Sequence, residues 1–173
     1  MHKENGQPSK FLAENIRILP IGRALDIAMG SGHNAVFLAQ MGFDVRGIDI
    51  SAEAVNNALD LAKEFNVVIK AEVVDLESDF TIKKGYYDVI ICFNYLQRSL
   101  IPQIKDGLRP GGMIVYETFI AEQATLFGKP KNPDFLLKHN ELLDMFRDFR
   151  CLRYREGIIE DQKAAASILA EKI

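Results

Sequence analysis

The sequence predicts an α/β protein built on a seven-stranded, mostly parallel sheet with an antiparallel C-terminal strand and helices on both faces. Three observations predict it. Apolar strand-like runs alternate with helix-period segments along most of the chain, a pattern that forces crossovers and a sheet covered on both sides. The first strand-like run, RALDIAMG, passes straight into a glycine-rich turn and a helix. The last two runs, RCLRYREGII and AAASILAEKI, are separated only by a turn around EDQK, too short for a crossover, so they pair as an antiparallel hairpin. At 173 residues, 48% of them hydrophobic, the chain fills one core and not two, so residues 1–173 read as a single domain.

The elements follow in order. SKFLAENIRIL reads as a leading helix over residues 9–19, with Ser9 as N-cap and Phe11, Leu12, Ile16 and Leu19 on one face, broken by Pro20 and Gly22. After the first strand, HNAVFLAQMG is a helix with Gly42 as its C-cap, and FDVRGIDI is the second strand. Ser51 caps the next helix, AEAVNNALDLAKEF, with Ala54, Ala58, Leu61, Ala62 and Phe65 inward and Glu53 favourable in its first turn. VVIKAEVVD and YYDVIICFN are strands three and four. Leu96, Leu100, Ile101, Ile104 and Leu108 then mark a helix interrupted by Pro102 and closed by LRPGG. MIVYETF is strand five, residues 119–139 are a long irregular connection, and NELLDMF is a short helix. A long connection at the ligand edge is usually functional, so 119–139 is expected to cover a substrate, with Phe119, Phe127, Phe135 and His139 lining an apolar pocket.

The first strand raises the functional question. Asp26 sits inside an apolar run, and a buried carboxylate needs a partner. In such sheets ligands bind beyond the C-terminal strand ends where the strand order reverses. Gly30-Ser31-Gly32 stands there, and Asp49 ends the second strand about 20 residues further on, the distance at which an acidic side chain meets ribose hydroxyls. A ribose-containing ligand follows. The run from Gly30 to Ala35 also matches the dinucleotide fingerprint, which alone decides nothing. A dinucleotide would bring two phosphates close to the Asp26 carboxylate, whereas S-adenosylmethionine carries a sulfonium and an ammonium and no phosphate. The plainer alternative is that Asp26 bonds only to amides of the turn.

LDIAMGSGHNAVFLAQMGFDVRGIDIS, followed by VVDLES, DVIICFNYLQRSL and LRPGGMIVYETF, resembles the class I S-adenosylmethionine-dependent methyltransferases from about Leu25 to the hairpin. The nearest group is the small single-domain one that includes the tellurite-resistance methyltransferases. The resemblance implies a Rossmann-like fold and S-adenosylmethionine as cofactor, with S-adenosylhomocysteine as product. It sets Asp26 toward the methionine amino group, with the backbone of Ala28, Gly30 and Gly32, and Ser31 beside them, against the methionine and ribose. It gives Asp49 the ribose hydroxyls, Ile50 the adenine face, Asp75 the adenine amine and Leu76 a ring nitrogen. Ala28 stands where the family usually has a glycine, and His33 where an arginine is common, which leaves His33's contact with the cofactor carboxylate open. Near the methyl group it implies Asn94, and the candidates for the reaction are Asn94, Tyr95, Arg98 and Glu117. Glu117 is the best placed as a base, and Arg98 either binds an anionic substrate or is a solvated helix residue. Asp75 and Asn94 have turn-forming alternatives. Methyl transfer is an in-line displacement that needs alignment and exclusion of water more than a dedicated base.

The expected acceptor is a small molecule, such as a metalloid oxyanion, a thiol or a small metabolite. The rival functions are an NAD-dependent oxidoreductase and a non-catalytic S-adenosylmethionine-binding protein. The net charge of -3 with interspersed signs gives no reason to expect a nucleic-acid partner. No apolar run approaches the ~20 residues of a spanning helix and the N-terminus lacks a signal-peptide core, so the expected location is cytoplasmic, without membrane association. Cys92 and Cys151 lack zinc-ligand spacing and are expected to be buried, reduced thiols, with no metal site.

Overall fold

The computed structural model describes residues 6–173. Its strands are β1 (Arg23–Ile27), β2 (Asp44–Asp49), β3 (Lys70–Val73), β4 (Tyr87–Phe93), β5 (Leu108–Phe119), β6 (Arg150–Glu160) and β7 (Lys163–Glu171). They form one sheet in the order β3-β2-β1-β4-β5-β7-β6. Pairing is parallel throughout except at β7, which runs antiparallel to both β5 and β6. The predicted hairpin and the predicted class are both present. The order reverses between β1 and β4, so the C-terminal ends of these two strands open the crevice where ligands bind in such sheets.

The helices are α1 (Lys10–Asn15), α2 (His33–Gln40), α3 (Ala52–Glu64), α4 (Ile101–Gly107), α5 (Glu122–Phe127) and α6 (Glu141–Met145). Strand alternation divides the core between two faces. Ala24, Val89, Ile91, Val115 and Leu169 pack with Phe11, Leu12 and the inner side of α2 and α3. Leu25, Ile27, Ile90, Cys92, Ile114, Tyr116 and Ile168 pack with Ile104, Leu142 and Phe146 on the other. Ser51 caps α3 as expected, its hydroxyl accepting from the Ala54 amide at 3.1 Å, and Gly42 follows α2 at φ +95°.

Several local expectations are corrected. α1 gives way after Asn15 to a 3-10 turn over Ile16–Ile18, and Ser9 makes no side-chain cap. The inner face of α3 is Val55, Ala58 and Ala62, while Phe65 falls at the C-cap and is largely exposed. Pro102 starts α4 rather than interrupting a helix, because proline lacks the N–H that a first turn leaves unpaired anyway. LRPGG is the irregular first arm of β5, whose register against β4 shifts between Tyr87 and Val89. The connection 119–139 is not irregular: it holds α5, a 3-10 turn at Pro133–Phe135 and a bridge from Ile120 to Leu137. Cys92 is buried as expected, but Cys151 is exposed on the edge strand β6.

Ala28, directly after β1, has φ +52°. A side chain in that left-handed region costs roughly 1–2 kcal/mol, and glycine's greater freedom in the unfolded chain returns roughly 0.4–1 kcal/mol of that. Ala28→Gly should therefore stabilise the protein by about 0.5–1 kcal/mol. Equilibrium denaturant unfolding measures this, and a lowered midpoint would show that the Ala28 methyl packs better than its backbone suffers.

Candidate functional site

At the β1/β4 crevice lies a cavity of about 500 Å³, lined by residues of the glycine turn, by Phe93 and Asn94 at the end of β4, by Gln7–Lys10 leading into α1, and by Glu160 and Lys163 at the hairpin tip. Asp26, Ala28, Gly30, Ser31, His33 and Asn94, all expected at the site, line it together. Asp26 lies at mid-sheet between Gly47 and Ile91 and is 2% exposed. Its Oδ2 has no hydrogen-bond partner among the described residues. Burial, and then the nearby Asp49 charge, push its carboxyl well above the ordinary range, with the Ala35 amide opposing. The alternative in which turn amides fully satisfy Asp26 is thus not what the geometry shows. His33 Nδ1 is likewise buried and unpartnered among the described residues. Of the three such atoms, two line this one cavity.

The two glycines of the turn serve different ends. Gly30 has φ +56° and nothing within 4 Å of where a Cβ would stand, so its backbone borders open space. Gly32 lines no part of the cavity; a Cβ there would sit 2.5 Å from the Ala58 Cβ, so it lets α2 approach α3. Asp49 is fixed at the end of β2: its Oδ2 accepts from the Gly30 amide and its Oδ1 from the Ser51 amide, both at 2.9 Å. The carboxylate keeps further lone pairs free for a ligand. Beside it Ile50 is 68% exposed, an apolar surface at the ligand edge. Asp75 Oδ1 accepts from the Glu77 amide at 2.9 Å, the turn-forming role, and Leu76 is buried next to it. Asn94 adopts φ +58°, a conformation asparagine tolerates, and also borders the cavity, so its two readings coincide.

Three of the four reaction candidates are tied up in structure. Tyr95 is half-buried, and its hydroxyl donates to Gln97 Oε1 at 2.6 Å. Arg98 neither awaits an anion nor lies free in solvent. It forms a bidentate pair with Glu141 at 2.7 and 2.9 Å and donates to the carbonyls of Asp134 and Leu136, stapling the 134–141 segment. Glu117 is fully buried, and both its oxygens are occupied: Oε1 by Lys163 at 2.7 Å, Oε2 by Ser167 at 2.6 Å and Arg155 at 3.4 Å. With both oxygens engaged by neighbours, it is well suited to fix Lys163.

Residues 119–139, expected to cover a substrate, stand apart from this cavity. None of them lines the cavity; Phe127 packs on the core, Phe135 is exposed, and exposed His139 pairs with Glu122 at 2.6 Å. The walls are instead the strap Gln7–Lys10 and the hairpin tip. The strap is held by the Ser9 amide, which donates to Asn34 Oδ1 at 2.8 Å. Lys163, Lys10, Glu160 and Asn34 were not singled out from sequence. The usable signal was Glu117 itself, since a carboxylate in an apolar strand requires a cation, and Lys163 opens the strand that pairs with it.

Residues 7–168 match the family described as Tellurite resistance protein TehB. Hemagglutinin 1 of Eikenella corrodens is 30% identical over 167 residues, 91% of this chain and 54% of that protein. A Ubiquinone biosynthesis O-methyltransferase of Burkholderia orbicola is 30% identical over 101 residues, 56% of this chain and 44% of that protein. The chain thus spans about half the length of these curated relatives. Among solved structures, TehB from Haemophilus influenzae superimposes with a TM-score of 0.78 at 21% identity, covering 94% of this chain and 61% of that one. A S-adenosylmethionine-dependent methyltransferase from Clostridium acetobutylicum gives 0.74 at 13% identity, covering 94% and 89%. The fold is therefore the Rossmann-like one found in methyltransferases. With 7–168 matched almost end to end, the chain belongs to the TehB tellurite resistance protein family.

Proposed function

We propose that the protein is a S-adenosylmethionine-dependent methyltransferase acting on a small nucleophile. The observation that carries this reading is the buried, unpartnered Asp26 oxygen facing the β1/β4 crevice. An ammonium there supplies both the counter-charge and the hydrogen bond that the oxygen lacks. A dinucleotide would place phosphate beside two carboxylates, Asp26 and Asp49, and the NAD reading is disfavoured on that ground. The residues fit the cofactor along its length. Asp26 would hold the amino group, and the Gly30 backbone would border the open space beside it. Asp49, its position fixed by two amides, would take the ribose hydroxyls, and Ile50 with Leu76 would flank the base. His33 Nδ1 is available to the carboxylate.

When bound, the cofactor supplies an activated methyl on sulfur. The chain's part is alignment and exclusion of water. Asn94 borders the space beyond Asp26, and Lys163 stands across the cavity with its Glu117 partner. A cation on that side favours an acceptor with an anionic or readily ionised nucleophile, since it lowers the pKa of a neighbouring thiol or hydroxyl. Lys163 takes the place in this reading that the sequence suggested for Arg98. The family description makes a metalloid oxyanion the first acceptor to test, with thiols and small metabolites next. The two cysteines are unpaired and one is exposed, which suits a reducing compartment, and we place the reaction in the cytoplasm.

Calorimetric titration with S-adenosylmethionine, S-adenosylhomocysteine and NAD tests the cofactor. Micromolar binding of the first two without NAD is the expected result; binding of NAD alone would overturn the reading. A screen of acceptors for S-adenosylhomocysteine formation then separates an enzyme from a protein that only binds the cofactor.

Two sharper outcomes follow. Asp26 has a raised pKa in the free protein, and a bound ammonium favours its charged form, so binding should release a proton. Affinity should fall by about tenfold per pH unit below the free-state pKa and level off above it. Titrations in two buffers of different ionisation enthalpy report the released proton; identical heats in both would remove Asp26 from the contact. Asp26→Asn should weaken binding while raising the melting temperature of the free protein at neutral pH, because it deletes the ionisation that burial opposes. Asp49→Ala should weaken binding by roughly 2 kcal/mol or more, as charged hydrogen bonds are worth about 1.5–3 kcal/mol each. An unchanged Kd would take Asp49 out of the site.

A further inference from the structure

The segment after β4 ties together parts of the site that are far apart in sequence. Tyr116, buried on β5, donates its hydroxyl to the Tyr95 carbonyl at 2.6 Å and so fixes the backbone that carries Asn94. Tyr95 in turn donates to Gln97 Oε1 at 2.6 Å, and Gln97 Nε2 donates to the Leu76 carbonyl at 3.1 Å and to Ser99 Oγ at 3.2 Å. A backbone carbonyl can only accept, so the Gln97 nitrogen must face Leu76, and the Tyr95 hydroxyl on the other side holds the amide in that orientation. The turn after β3 is otherwise closed largely on itself, by Asp75 accepting from Glu77 and from Ser78. Tyr95 lies within the field of acids on this side. Its phenol is pushed up to about 12 by burial first and then by Glu77, with Asp75 and Asp49 adding to it.

We propose that Gln97 is a positioning residue for the adenosine half of the cofactor site, acting through the Leu76 carbonyl. This assignment rests on the cofactor reading above. Gln97 does not touch the cofactor in this assignment; it holds the turn that presents Asp75 and the Leu76 amide, and links it to the backbone of Asn94 near the methyl group. Removing the link loosens the adenine-reading turn while leaving Asp26 and the methionine end as they are.

The test is binding of S-adenosylhomocysteine and of 5′-methylthioadenosine, which lacks the amino-acid end, to full-length variants. Gln97→Leu, close in size but without polar atoms, should weaken both ligands by a similar factor of about five to ten, the worth of one hydrogen bond. Gln97→Glu keeps the acceptor for Tyr95 but sets an oxygen against the Leu76 carbonyl, and should be at least as severe. Asp26→Asn should weaken S-adenosylhomocysteine alone. A melting temperature lowered by Gln97→Leu with both affinities unchanged would overturn the assignment, making Gln97 structural only. A loss confined to S-adenosylhomocysteine would also overturn it, by moving the effect to the methionine end. If the unaltered protein bound neither ligand, the cofactor reading itself would fail, and the assignment with it.

Discussion

A carboxylate buried at the centre of the sheet, with one oxygen unpartnered among the described residues, is the constraint around which the rest of this molecule is arranged. Asp26 shares a sheet face with Ala24, Val89, Ile91 and Val115, where an apolar side chain would pack at no electrostatic cost. Strand pairing keeps it there: β1 is hydrogen-bonded on both sides, so the side chain cannot leave the interior without breaking the sheet. The carboxyl adapts by holding its proton more tightly. Asp49, one strand away, has the opposite environment, with an amide on each oxygen. Two neighbouring acids, one satisfied by backbone and one left open toward a cavity, are what a cationic ligand group requires and what stability alone would remove.

The far wall of the cavity follows from the one antiparallel strand. Because β7 turns back beside β5, its first residue, Lys163, arrives at the same edge as the C-terminal ends of the parallel strands. There Glu117, buried in β5, meets Lys163, Arg155 and Ser167. One carboxylate between two cations leaves a positive excess, and Phe11 of α1 covers Arg155 through its ring face. Gln123 of α5 steadies the hairpin tip from outside, accepting from the Ala164 amide and donating to the Gln162 carbonyl. The long connection after β5 is therefore scaffold for the cavity wall and not the wall itself.

How much of this was legible in the sequence depended on whether the signal was local. The β1 turn, the Ser51 cap and the hairpin turn are encoded by residues within a few positions of one another, and the Asp49 spacing by a fixed strand-helix-strand unit, so each was readable. Arg98 was not, because its partners Glu141 and the carbonyls of Asp134 and Leu136 lie some forty residues on, and only the fold brings them together. Glu117 was placed at the right strand end, but its role depends on Lys163 and Arg155, which reach it across two strand pairings. Phe119, Phe127, Phe135 and His139 could be read from sequence either as lining a pocket or as pinning the connection, because aromatic residues in a connection report burial or exposure only once the neighbouring elements are known. The strap at Gln7–Lys10 overlaps the start of the leading helix read at 9–19, but its attachment to the glycine-turn helix becomes visible only through the Ser9–Asn34 bond.

The cavity that results is electrically divided, and the division gives the proposed reaction a direction. The glycine-turn side holds Asp26, with Asp49 beside it. Lys163 lines the cavity from β7, which is separated from β1 by β4 and β5. In the proposed reaction a donor carrying an ammonium and a sulfonium would be drawn toward Asp26, and an electron-rich acceptor toward Lys163, with the methyl group between them. Transfer would remove the sulfonium charge and leave the ammonium, so Asp26 would keep its counter-charge until the product departs and only then regain the protonated form its burial favours. The same desolvation that makes Asp26 costly in the free protein therefore weakens the hold on donor and product alike. On this view an asparagine at position 26 would remove both the charge that holds the ammonium and the proton exchange that accompanies the arrival and departure of the ligand.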